Sequence, residues 1–324
     1  MDELEGVQRF RESHMPVSET VRARARDRLM QQIGGDDPPA PESRPSLRPL
    51  FAVAISALLG VGILFISIAD NQGSRAAADV LNKTGGIALD ATSPWEGGRY
   101  TFTRIKQATL VTSVPDVSEA YSYRVEGIRE EWIAEDGSGR VVTHQQEPTW
   151  PSDRDRARWK SSGEPLVLAE SGEMIYGPGE LEPSHVNLRT LPTDSSQLYE
   201  LIDSRQAVGG PPGPVETFSI TADLLGEPSA SPQLRSALYG VLAMIPEVNL
   251  IESTDQTDRR GATVSISDET ERMELAFDPD SSTLIAKRVV MLTQDPSIGA
   301  EPPYVVESRE YLATGSVDGL NDRV

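Results

Sequence analysis

Leu50 to Ala69 reads LFAVAISALLGVGILFISIA, twenty residues without a charge, an Asn or a Gln. At 1.5 Å of rise per residue a helix of that length covers about 30 Å, the hydrocarbon thickness of a bilayer. A core helix of this length would normally keep a polar face. Here the only hydroxyls are Ser56 and Ser67, and each can bond to a carbonyl one turn earlier. The stretch reads as a transmembrane helix, with Leu50, Phe51, Leu58, Leu59, Ile63, Ile66 and Ala69 among its membrane-embedded residues. It divides the chain into a cytoplasmic segment (1–35), a proline-rich linker (36–49), the span (50–69) and a large second part (71–324).

Orientation follows from Lys and Arg. Six arginines (22, 24, 26, 28, 44 and 48) precede the span closely, against Arg75, Lys83 and Arg99 after it. That bias puts the N-terminus inside, and a span lying fifty residues into the chain reads as a retained signal anchor. The part 71–324 is then extracytoplasmic, at the outer face of the cell membrane.

Before the span, SETVRARARDRLMQQI (18–33) carries a helix signal: Ser18 as N-cap and Gly34-Gly35 as the stop. Val21, Ala25, Leu29 and Ile33 recur every four residues, while Arg22, Arg24, Arg26 and Arg28 cover the other faces. Two readings compete. One is an amphipathic helix lying on the inner headgroups. The other is a docking helix for a cytoplasmic regulator, with Val21, Arg22, Arg26, Leu29 and Ile33 as its contact residues. The prolines of DDPPAPESRPSLRP (36–49) exclude a helix there.

The net charge is −20, and the first 49 residues are near neutral, so the acidic excess sits after the span. Such a surface repels nucleic acid, which is not expected as a partner. With no Cys there is no disulfide, thiolate metal site or Cys nucleophile. His14, His144 and His185 fall in three separate segments, no G-x-S-x-G occurs, and no phosphate loop is present. Asp278 and Asp280 start like a calcium loop, but the Gly and Glu that should follow are missing, so a hairpin turn is expected. No enzyme activity, cofactor or metal is expected.

Strand chemistry follows a short helix at Ser74–Leu81 that Gly85-Gly86 should end. Arg99–Lys106 and Tyr121–Val125 alternate, and EEWIA…RVVTHQQ around Glu135–Gly139 reads as a hairpin. Residues 148–190 read as a long loop anchored by Trp150 and Trp159. Then come helices: LPTDSSQLYELI with Asp194 and Gln197 as a capping box, a short one near Phe218–Leu225, and Ser231–Ile245 with Ser231 as N-cap and Pro232 at the first position. Leu234, Leu238 and Leu242 form its stripe, opposite Gln233, Ser236 and Gly240. Strands return from Asn249 to Tyr311, with Met273, Leu275 and Phe277 on a buried face and Arg272, Glu274 and Ala276 on a wet one. Strands, helices, then strands imply α+β with an antiparallel sheet packed by helices.

RARARDRLMQQI, the single span, AAADVL, EEWIAEDGSGR, LPTDSSQLYELI, LRSALYGVLAMIPEV and AFDPDSSTLIAKR stand here in one order. That order resembles an uncharacterised actinobacterial family of single-pass membrane proteins often encoded beside sigma-factor genes. More loosely, the element order resembles the LolA/RseB-like lipoprotein-carrier fold, a curved half-barrel sheet with helices in its concavity. The first resemblance implies a membrane-anchored sensing or interaction protein, able to regulate a cytoplasmic transcription factor through its N-terminal segment. The second implies, as an alternative, a lipid- or lipoprotein-binding outer domain. The zinc-binding His and Cys set of many anti-sigma factors is missing.

Overall fold

The computed structural model describes residues 74–93, 96–113, 120–164, 171–180, 188–204, 213–251, 261–295 and 298–324. The N-terminal helix, the proline linker and the span lie outside the described residues. No described helix is long and apolar enough to cross a membrane.

Nine described strands form a single antiparallel sheet: β1 (Tyr100–Ser113), β2 (Tyr121–Ala134), β3 (Gly139–Gln145), β4 (Gly172–Tyr176), β5 (Asn249–Ile251), β6 (Ala262–Ser267), β7 (Glu271–Phe277), β8 (Leu284–Met291) and β9 (Tyr304–Val317). Their order is β4-β3-β2-β1-β9-β8-β7-β6-β5. Each end of the chain thus folds as a meander, and the two meanders join where β1 pairs with β9. Register shifts at Arg104/Ile105, Ala276/Phe277 and Val289/Val290 bend the strands locally.

Five described helices accompany the sheet, as expected for α+β: α1 (74–89), α2 (Asp153–Ser161), α3 (Ser195–Asp203), α4 (Pro214–Leu225) and α5 (Pro232–Met244). Four of them, all but α2, bury residues in one core on one side of the sheet. In α5 the Ser231 side chain accepts the Leu234 N–H, and in α3 Asp194 accepts from Gln197 N, so both caps are made as the sequence indicated. Leu234, Leu238 and Leu242 are buried in one core with Phe218, Val264, Leu275 and Phe277.

Several expectations are corrected. α1 runs through Gly85-Gly86 to residue 89. Gly85 is a contact glycine rather than a stop: a Cβ there would lie 3.2 Å from the Ser236 carbonyl oxygen and 3.4 Å from the Tyr239 Cβ on α5. Gly240 has the same role toward α3, where a side chain would run into Ser195. Ser236 and Gly240 are therefore half-buried between helices, and only Gln233 of the three is exposed. The stretch 148–190 contains α2 and β4. Its alternating charge, DRDRARWKS, puts Asp153 and Asp155 in the first turn and Arg158 and Lys160 in the last, which suits the helix dipole. Asp155 is 1% exposed and accepts the Ser122 N–H at 2.9 Å, which docks α2 on β2.

The side of the sheet away from the helices is drier than alternation implies. Glu274 and Ala276 are buried rather than wet. Arg272 pairs with Glu274 at 2.7 Å two residues along the same strand, so the carboxylate is neutralised within its own row. At the β1–β3 end the C-terminal residues 318–324 lie over this side. Trp132 Nε1 donates to the Asp322 carbonyl at 2.6 Å, and Phe102 packs on Trp132 at 5.1 Å between ring centroids.

Candidate functional site

A cavity of about 320 Å³ lies on the helix side of the sheet, where β1 and β9 end. Its floor is set by strand register. Thr101 faces Ser316 and Thr103 faces Thr314 across the β1–β9 pair, and Thr101, Thr314 and Ser316 belong to the lining. One wall is the passage from α4 to α5, with Gly226, Pro228, Ala230 and Pro232. The next is the turn Ser281–Leu284, and the last is the connection from α1 to β1, with Ala91, Thr92, Ser93 and Glu96.

The walls are held by specific bonds. Tyr239 of α5 donates its hydroxyl to the Ser282 carbonyl at 3.0 Å, and burial holds that phenol well above the ordinary tyrosine range. The Asp278 carboxylate accepts from Asp280 N at 2.9 Å and from Ser281 Oγ at 2.8 Å. It is used in closing the hairpin turn that the sequence indicated. Gly226 lies where a side chain would run into the Tyr311 hydroxyl, so α4 must end without one.

Two side chains of the lining, one on the floor and one on α5, have no hydrogen-bond or ion-pair partner among the described residues. Thr101 Oγ1 is one, on a side chain 1% exposed. The other is the guanidinium of Arg235, half-buried in the first turn of α5. Burial pulls its pKa below the usual arginine range, opposed by Tyr239 and Tyr311, yet a guanidinium stays charged in any protein. Glu96 is the other charged side chain of the described lining, and it is exposed at the rim.

Next to the cavity lies a charged layer under the end of α4. Lys287 of β8, 3% exposed, pairs with Asp223 of α4. Arg309 pairs with Glu307 at 3.2 Å, and Arg129 with Glu131. Glu227 is buried among them, and burial, with Glu131 adding to it, raises its pKa to about 8.

A second concavity is an open groove of about 990 Å³ beside α2. Trp150 and Trp159 line it with ring centroids 4.9 Å apart, and Tyr123 packs behind at 5.9 Å from Trp150. The two tryptophans are thus anchors, as the sequence suggested.

The residues singled out for lipid or partner contact, 50–69 and 18–33, lie outside the described residues, as do His14 and His185. His144 is exposed on β3. Glu130 and Glu131 point to opposite sides of the sheet, as expected from alternation: Glu130 bonds Arg323 and Glu131 bonds Arg129. The cavity itself was not foreseen. Its one sequence signal is Arg235, a cation in the first turn of a helix, where the dipole disfavours it.

No family model matches the chain, and no curated protein matches it in sequence. Among solved structures the chain is similar to MucB in complex with MucA(peri) and to MucB alone. Identity is 10% and the TM-score 0.22 for each, over 76% of this chain. The matches cover 58% and 61% of those chains, so this chain spans about three fifths of their length. Nothing among these matches corresponds to the expected actinobacterial family. A likeness so faint leaves function to be argued from the residues.

Proposed function

We propose that the chain is a membrane-anchored sensing and interaction protein. In this reading residues 71–324 bind a ligand outside the membrane, and residues 18–33 engage a cytoplasmic regulator. One observation carries it: the cavity wall formed by Ala91–Ser93 and Glu96 continues directly from α1, whose first described residue, 74, lies five residues beyond the end of the apolar run. Ala77, Leu81, Thr84 and Ala88 bury one stripe of α1, and Gly85 presses it on α5. A ligand in the cavity would touch both ends of that contact, the α1–β1 connection and the first turn of α5. The path from the cavity to the start of the described chain is therefore short and runs through a packed helix.

The lipid- or lipoprotein-binding alternative asks the apolar stripe of α5 to line an open groove. Leu238 and Leu242 are 0% exposed and Leu234 1%, all turned into the core, which favours the sensing reading.

A photo-crosslinking residue at Leu29 of the full chain, in intact cells, tests the inner half. The expected result is an adduct with a soluble protein on the cytoplasmic side. Adducts with lipid alone would overturn the docking role and leave the helix lying on the headgroups.

A further inference from the structure

We infer that the cavity between α4, α5 and the β1–β9 end of the sheet binds a small ligand through one oxyanion group, carboxylate or phosphate, held by Arg235 and the Thr101 hydroxyl. The inference rests on the sensing reading for its purpose and on the cavity alone for its chemistry.

The first ground is the unmatched cation. Withdrawing a charge from water is costly unless it is paired. The other cations turned toward the helices obey this: Lys287 has Asp223, Arg309 has Glu307, and Arg129 has Glu131. Arg235 has no carboxylate among the described residues, and its electrostatic neighbours are the neutral phenols of Tyr239 and Tyr311. In a chain of net charge −20 there is no shortage of carboxylates to supply one. The guanidinium borders the cavity instead, with its fork of donors available to an oxyanion.

The second ground is independent. Thr101 belongs to the lining of the same cavity, and its buried Oγ1 has no partner among the described residues. A hydroxyl can donate to the anion that the arginine holds. The third is placement: Ala230 and Pro232 put the start of α5, a helix of 13 residues, at the cavity wall, where its dipole adds positive potential.

Size and rim narrow the class. About 320 Å³ is at the lower end of small-ligand sites. Glu96 at the mouth repels a second negative charge, so the ligand has a single anionic head and a neutral or cationic remainder. A soluble metabolite and a lipid headgroup share this chemistry.

The test uses the full chain in phosphatidylcholine nanodiscs, titrated calorimetrically with sodium phosphate and with sodium acetate. A parallel set of nanodiscs contains phosphatidylglycerol, and protein melting reads headgroup binding. Saturable binding in at least one arm is expected, and the responding arm identifies the source. Arg235→Met should weaken it about tenfold or more, the worth of a charged hydrogen bond, and Thr101→Val about threefold. Thr101→Val keeps its volume and reads the same site should Arg235→Met fail to fold. Absence of saturable binding up to about 50 mM anion, well beyond the millimolar range of a single charged contact, together with no melting response to phosphatidylglycerol, would overturn the inference. Equal affinity in a folded Arg235→Met protein would do the same. Either failure removes the ligand chemistry and leaves the crosslinking result at Leu29 standing on its own.

Discussion

Arg323 and Glu130, 193 residues apart, share two hydrogen bonds, Nε to Oε1 at 2.9 Å and Nη2 to Oε2 at 2.8 Å. The same guanidinium lies over the Trp132 ring at 5.4 Å, and Arg140 lies over that ring at 5.0 Å. The end of the chain is thereby strapped across β1–β3. The Arg323 hydrogen bond and charge, together with Arg104, hold the Glu130 carboxyl below its ordinary 4.5 against the effect of burial. A lowered folded pKa contributes stability above the unfolded value and loses it as pH falls through the folded one. Arg323→Met should therefore raise the Glu130 pKa in a carboxyl NMR titration. Its melting deficit should be full above about pH 4.5 and fade in acid. An unmoved Glu130 titration would show that the strap carries no electrostatic weight.

The α5 stripe has a cost that can be measured. Leu238 is 0% exposed inside the main core. Leu238→Ala removes buried methyls and leaves a cavity, so a loss of about 2–5 kcal/mol is expected in denaturant melts. A loss below about 1 kcal/mol would fit a leucine facing an open groove and would reinstate the lipid-carrier alternative.

Glu227 gives a pH signature of opposite sign. Its folded pKa of about 8 lies above the unfolded value near 4.5, so between those limits the folded state holds the extra proton. Stability should fall as pH rises through that window, by at most about 1.4 kcal/mol per unit, and level off above it. Glu227→Gln should flatten this slope. Parallel pH profiles for variant and parent would mean that the carboxyl is ionised in the fold and paired within the charged layer.

Much of the fold was legible because it rests on local signals. Ser231, Pro232 and Asp194 mark helix starts by the bonds their own atoms make, and Met273, Leu275 and Phe277 mark a strand face by alternation. Contacts made by absence were not legible. Gly85 looks like a helix stop and Gly240 like a wet position, yet each lets a neighbouring helix approach, which depends on Ser236 and Ser195 far along the chain. The charges of α2 read as a solvated loop because the value of Asp155 depends on Ser122 on another strand. The cavity was invisible for the same reason. Thr101 is an ordinary strand residue until β9, some two hundred residues later, sets Ser316 beside it and α5 brings Arg235 to the same cavity.

The central claim is that a single span separates the inner segment from the folded outer domain. Reporter fusions at Gly35 and at Val324, one enzyme active only in the cytoplasm and one only outside it, test this directly. The cytoplasmic reporter should be active at Gly35 and the external one at Val324. Cytoplasmic activity at Val324 would contradict it, since ligand cavity and regulator would then share one compartment with no membrane between them.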